Sequence, residues 1–243
     1  MARLGIPCYI PIYPRKPKNL YVPYIFSEEE LKKIFKAADE LMFVRRNFKC
    51  GIFSIPVLLR LLYSTGMRIG EACSLINSDV DMSSRIILVR NTKNKRDRQL
   101  PISDSLYQVL EQYLIKRDKL PLHNMGNPNS PFLISLDGSS LTGVSARHWF
   151  YKILEASDID YIPKVGPRIH DLRHTFAVHV LDKLVKEGVD MHCCLPVLSM
   201  ALGHKCVSDT EYYVRITNQV YPHLSDTTSA ISEYVFPTIS TMK

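Results

Sequence analysis

The chain has 243 residues, 46% of them hydrophobic, and a formal net charge of +7, which gives enough apolar surface for one sizeable core and excludes a disordered tail. Its most apolar run, residues 53–63, is broken by Arg60 and is far too short to cross a bilayer, so no membrane partner is expected. Six cysteines without a C-x-x-C spacing and no apolar secretory leader point to a reducing cytosol, so a cytoplasmic location is expected.

The positive charge is local. Residues 85–119 hold nine basic side chains against four acidic ones, whereas the stretch after Lys205 holds two against four. Such a field favours an anionic partner without identifying one.

Taken in chain order, residues 1–25 carry five prolines among basic and aromatic residues and suit an extended arm or linker better than a packed domain. A helix then opens at Ser27, which can cap it with Glu30 as the reciprocal partner, and Leu31, Ile34, Phe35 and Ala38 supply its apolar stripe. A second helix is predicted over 52–64, stopping at Gly66 and restarting near Ile69 through Leu75, which leaves Arg68 at a junction. Residues 85–90 and 99–102 read as two strands of a hairpin, with 91–98 as its charged turn and Lys93 near the tip. Helices follow over 104–117, 143–156, 170–187 with Gly188 as cap, and 195–202 before Gly203, with 131–134 as a short strand. Residues 225–236 carry Ala230, Ile231, Tyr234 and Val235 at helical spacing, and a short apolar helix there needs a partner surface. The fold class expected is mainly α with a small β-hairpin, that is, α+β.

Several residues in these elements suit phosphodiester chemistry. Attack at phosphorus spreads negative charge over the equatorial oxygens, and an enzyme without a metal has to meet it with fixed cations. Arginine holds two phosphate oxygens in its planar fork and stays charged at any working pH, which makes Arg68 and Arg173 a pair of clamps. His170 and Arg173, three apart on a helix, share one face, and His170 is the nearest candidate base. His204, after Leu202 and Gly203, adds a donor. Tyr212 and Tyr213 are adjacent, and since successive helical residues point about 100° apart, one of them can face a phosphate. A phenol of pKa about 10 is roughly one part in a thousand ionised at pH 7, so cations or a base have to activate it. His170 and His174, with Asp171 between them, also fit a two-histidine zinc pattern; Arg173 would set a fixed cation beside that metal, and no third ligand is evident. His148, His179 and His192 read as structural, and Cys193–Cys194 as a small apolar pair.

Five elements, Thr65-Gly66-Met67-Arg68-Ile69-Gly70-Glu71, Lys93 eight residues before Pro101, His170-x-x-Arg173, Leu202-Gly203-His204 and a tyrosine nine residues beyond His204, together resemble the signature of the tyrosine recombinase (phage integrase) family. The resemblance covers about residues 26–217. It implies the catalytic-domain fold of that family and a site of Arg68, Lys93, His170, Arg173, His204 and Tyr213, with Glu71 behind them as support and no metal or cofactor. The family spacing selects Tyr213 as nucleophile and leaves Tyr212 to packing. It assigns protonation of the leaving 5′ oxygen to Lys93, while Lys95, Arg96 and Arg98 would contact DNA phosphates.

The domain plan that follows is an arm or interdomain linker over 1–25, a catalytic domain over 26–224, and a C-terminal helix or tail over 225–243 that docks on a neighbouring protomer. The function implied is site-specific cutting and rejoining of double-stranded DNA through a 3′-phosphotyrosyl link, as an integrase or transposon recombinase. The chain would be a monomer without DNA and a homo-tetramer on paired sites, acting on the nucleoid of a prokaryotic cell. Members of the family usually carry a further helical DNA-binding domain ahead of this one. A chain that starts in the interdomain linker and a natural short form both fit the sequence. Two other classes compete: a catalytically silent DNA-binding regulator and a zinc-dependent hydrolase.

Overall fold

The computed structural model describes residues 22–41, 51–90, 97–162 and 165–220. Its elements run α1 (Glu28–Asp39), a 3-10 turn (Ile52–Ser54), α2 (Ile55–Thr65), α3 (Ile69–Cys73), β1 (Val80–Asp81), β2 (Ile86–Val89), β3 (Arg98–Pro101), α4 (Asp104–Arg117), α5 (Gly143–Ala156), α6 (Asp171–Lys186), α7 (Met191–Leu202) and α8 (Ser208–Val220). The fold is therefore mainly helical with one small antiparallel sheet, in the order β1-β2-β3.

The start of α1 is built as its sequence requires. The Ser27 hydroxyl accepts from the Glu30 amide at 3.2 Å, and the Glu30 carboxylate accepts from the Ser27 amide at 2.7 Å, satisfying two orphan amides. Just before it, the Phe26 amide donates to Thr175 of α6 at 3.0 Å, so the chain enters the domain tied to the site-bearing helix. Helix α2 is apolar on nearly every side, with Leu58, Leu59, Leu61 and Leu62 all buried, because α1, α4 and α6 surround it. It stops at Gly66, whose φ of +63° is left-handed. A Cβ there would stand 2.4 Å from the Phe176 ring, so both conformation and space call for glycine.

In the sheet, Val89 pairs with Arg98 and Ile86 with Pro101. The return strand thus begins at Arg98, one residue earlier than expected from the sequence. Residues 131–134 make only isolated bridges, Ile76 to Pro131 and Ile134 to Ser140, in place of the short strand expected. Helix α7 starts at Met191 and carries Pro196 inside its first two turns, four residues ahead of the predicted start. Pro196 lies beyond the first turn, so the helix forgoes one internal hydrogen bond, to the carbonyl four residues before it. Helix α8 was not anticipated as an element: it has polar residues on most faces and no side-chain start signal stronger than Ser208.

Two apolar clusters hold the domain. The larger joins α1 to α5 and the sheet around Phe26, Leu58, Phe132 and Phe150. The smaller lies among α6, α7 and α8 and contains Ala177, Leu181, Leu198, Leu202, Ile216 and the ring of Tyr213. Among the described residues no helix is long and apolar enough to cross a membrane.

Candidate active site

Three stretches distant in sequence deliver the site: the α2–α3 junction, the start of α6, and the α7–α8 turn with α8. Arg68 occupies the N-terminal capping position of α3, where its extended backbone (φ −75°, ψ 147°) turns the chain from α2 into a new helix. Its amide and Nη1 each donate to Glu71 at 2.9 Å, and Nη2 donates to the Gly203 carbonyl at 3.4 Å. The side chain keeps 29% exposure, enough for a guanidinium edge to reach a ligand.

Arg173 is enclosed. Its Nη1 donates to the Gly66 carbonyl and its Nη2 to the Leu202 carbonyl, both at 2.8 Å, so one guanidinium staples the α2 terminus to the α7 terminus. Burial and the neighbouring Arg68 lower its pKa to about 10, which leaves it charged at neutral pH.

Glu71 sits between two arginines. It takes Arg68 on one side and, on the other, Arg98 Nη2 at 2.7 Å, while Arg98 Nε donates to the Ala201 carbonyl at 2.8 Å. Burial alone would raise the Glu71 carboxyl, but the hydrogen bonds and charge of Arg98, with the bonds from Arg68, hold it below its ordinary value. Arg98 was expected to reach outward to a DNA phosphate; its side chain lies inward, 9% exposed, against Glu71 and the turn that precedes His204. Strand alternation carries the signal for this, since Arg98 shares a face with buried Leu100. Gly203 is needed beside it: with φ at +65°, a Cβ would come within 2.8 Å of the Arg98 guanidinium.

The imidazoles and the tyrosine meet at the far side of Arg173. His204 gives Nδ1 to a 2.8 Å hydrogen bond with Thr210, and its ring lies parallel to that of Tyr213, centroids 6.0 Å apart. Thr210 is buried in the first turn of α8 and was not singled out from the sequence. His170 stands at the N-terminal capping position of α6 with an exposed outer edge. Burial of its inner side, then the charges of Arg173, Arg68 and Arg168, lower its pKa to about 4. Burial followed by Arg173 and Arg68 lowers His204 to about 4 as well. Both rings are therefore neutral at working pH, each with one donor and one acceptor nitrogen.

Tyr213 is 3% exposed, whereas its neighbour Tyr212 is 39% exposed and points elsewhere. The Tyr213 hydroxyl lies 3.0 Å from His174 Nδ1. Burial raises the phenol pKa; the charge and hydrogen bond of Arg173, and then Arg68, oppose it. His170 was the base expected from the sequence, yet the imidazole on the phenol is that of His174, one helical turn further along. The sequence signal was the i, i+4 spacing itself, weighed there only as a zinc pattern that Arg173 and the lack of a third ligand speak against. Among the described residues no group of three or more His, Cys, Asp or Glu side chains is arranged to hold a metal ion. Beside the arginines an open cleft of about 750 Å³ is lined by Arg68, Glu71, Arg90 and His170 among others. Lys93, Lys95 and Arg96 lie outside the described residues, as do residues 225–243.

An arrangement of two guanidiniums, neutral donor imidazoles and a phenol fits a tetrahedral oxyanion such as a phosphate. Residues 25–219 match the model of the Phage integrase family. The chain is 31% identical over 205 residues to the putative integrase/recombinase y4rB of Sinorhizobium fredii, covering 84% of this chain and 64% of that one. It is 30% identical over 208 residues to the tyrosine recombinase XerA of Pyrococcus horikoshii, covering 85% and 61%. The chain thus spans less than two thirds of the length of these relatives. Among solved structures, the crystal structure of XerA recombinase superposes with a TM-score of 0.61 at 24% identity, over 86% of this chain and 67% of that one. The XerH site-specific recombinase bound to a palindromic difH substrate, in a post-cleavage complex, gives 0.62 at 23%, over 87% and 54%. The chain belongs to the phage integrase family, the tyrosine recombinases.

Proposed function

We propose that the protein is a site-specific DNA strand transferase that cuts and rejoins double-stranded DNA through a tyrosine. Tyr213 attacks a DNA phosphate and the bridging bond to the 5′ oxygen breaks. This leaves a 3′-phosphotyrosyl link and a free 5′ hydroxyl. A 5′ hydroxyl from a partner strand then attacks the link, frees the tyrosine and closes the new junction. Bond energy is kept in the covalent link, so the exchange needs neither ATP nor a divalent ion.

The observation that carries this reading is the convergence of Arg68, Arg173 and His204, from three separate segments, on the phenol of Tyr213. Arg68 and Arg173 take the charge that develops on the non-bridging oxygens. His204, with Nδ1 held by Thr210, has Nε2 left to donate to the same phosphate. His170, exposed at the rim, meets the phosphate from the other side. Lys93 delivers a proton to the leaving 5′ oxygen, and Lys95 and Arg96 of the same turn contact backbone phosphates. The segment 225–243 docks on a neighbouring protomer of a DNA-bound tetramer, while residues 1–25 serve as arm or linker. The protein acts in the cytoplasm, on the nucleoid.

A nicked suicide substrate tests the reading, because loss of the short 5′ strand traps the adduct. Tyr213→Phe is expected to abolish the covalent adduct on a denaturing gel while Tyr212→Phe keeps most of it. A Tyr213→Phe variant that still forms the adduct refutes the assignment.

A further inference from the structure

We propose that His174 takes the phenolic proton of Tyr213 through Nδ1 as the tyrosine attacks phosphorus, and gives it back when the phosphotyrosyl bond is reversed. The inference rests on the strand-transfer reading above and assigns the base within it.

The geometry separates the three imidazoles of the site. His174 Nδ1 lies 3.0 Å from the phenol oxygen, with ring centroids 5.6 Å apart and planes at 45°, so the hydroxyl meets the imidazole at the nitrogen that carries the lone pair in the Nε2–H tautomer. His204 offers Tyr213 a ring face, at 6° between planes, and its Nδ1 is engaged by Thr210. His170 meets the ring of His174 edge to face, centroids 5.0 Å apart. The charge of Arg173 beside the phenol favours the phenolate. The oxygen is therefore held between an acceptor for its proton and a cation for its charge, which is what an activated nucleophile requires.

The charges around His174 also time the transfer. It faces His170 and Arg173 on its own helix, His204 from the α7–α8 turn and Tyr213 on α8. Burial first, then His170, Arg173 and His204, lower its pKa to about 3, so the ring is unprotonated and its lone pair is present at any working pH. The same surroundings make the imidazolium costly, and Tyr213 stays a neutral phenol. A bound phosphodiester places one negative charge among these cations, and attack at phosphorus adds a second. Both favour a protonated His174, so the base gains strength as the substrate reacts.

The step balances. The Tyr213 O–H bond breaks and its proton passes to Nδ1, with Nε2 already carrying the other ring hydrogen. The phenol oxygen bonds to phosphorus, the bond to the 5′ oxygen breaks, and that oxygen takes a proton from a separate acid, assigned above to Lys93. In rejoining, the tyrosine leaves phosphorus and recovers its proton from His174.

The test combines His174 variants with a more acidic nucleophile on the nicked suicide substrate. His174→Ala is expected to slow adduct formation about 100-fold or more, within the range of general-base contributions. His174→Gln, which can hold the hydroxyl but cannot take its proton, is expected to be as slow. Installing 3,5-difluorotyrosine at position 213 should recover most of the loss in either variant and change the otherwise native protein little. The rate of either variant should also climb in proportion to hydroxide. Full activity of the Gln variant, or no recovery with the fluorinated phenol, overturns the proposal, because a purely positional role predicts both. If the alanine variant fails to fold, as judged by thermal melting, the glutamine comparison decides. A native chain that forms no adduct sinks the strand-transfer reading and this inference with it. A native chain that forms one, beside His174 variants of equal rate, sinks the inference alone.

Discussion

Glu71→Ala tests whether the arginine at the α2–α3 junction is held by a buried charge network. Glu71 bonds Arg98 at 2.7 Å and Arg68 at 2.9 Å, and the side chains of Glu71 and Arg98 are each 9% exposed. The substitution leaves two guanidiniums close together with no counter-charge. Taking one partner from a buried pair costs about 3–5 kcal/mol, chiefly because the survivor is uncompensated. Arg68, at 29% exposure, can turn toward water, so the cost falls mainly on Arg98 and about 3 kcal/mol is expected. For a domain of this size that lowers Tm by about 6–12 °C. Acid should shrink the effect. The folded carboxyl lies below its ordinary value, so its contribution is present above the unfolded pKa and is lost as pH falls through the folded one. Urea unfolding at neutral pH and at about pH 3 measures the difference directly. A Glu71→Ala protein as stable as the native one at neutral pH, or a gap that widens in acid, refutes the reasoning.

Gly66→Ala forces a left-handed residue and drives a methyl against Phe176, and together these should cost about 2–4 kcal/mol in a melt while displacing the carbonyl that receives Arg173. Lys93→Ala should slow cleavage of a normal substrate far more than cleavage of one with a bridging 5′ sulfur, since sulfur leaves without a proton; equal losses on both would make Lys93 a phosphate contact instead. Deleting the chain from Ser225 onward should leave a protein that binds DNA but assembles two-site complexes poorly on native gels, and normal assembly by the truncated chain contradicts the docking role of that segment.

The sequence by itself determined the elements whose signals are local. Ser27 with Glu30 marked the start of α1, Gly66 the end of α2, and the run from Ile86 to Val89 the central strand, because caps, left-handed stops and strand alternation depend on near neighbours. It also supplied the candidate site residues as a set of motifs in order. What it left open are the properties set by residues far apart in the chain. Arg98 looked like one more groove-seeking charge, and only the packing of β3 against α7 turns it in to Glu71 and Ala201. Helix α8 has a weak local signal, since it owes its position to the apolar cluster it closes with α6 and α7. The choice of His174 over His170 at the phenol depends on where α8 crosses α6. A hydrogen bond of 3.0 Å between residues 39 apart follows from that crossing, which no local pattern encodes.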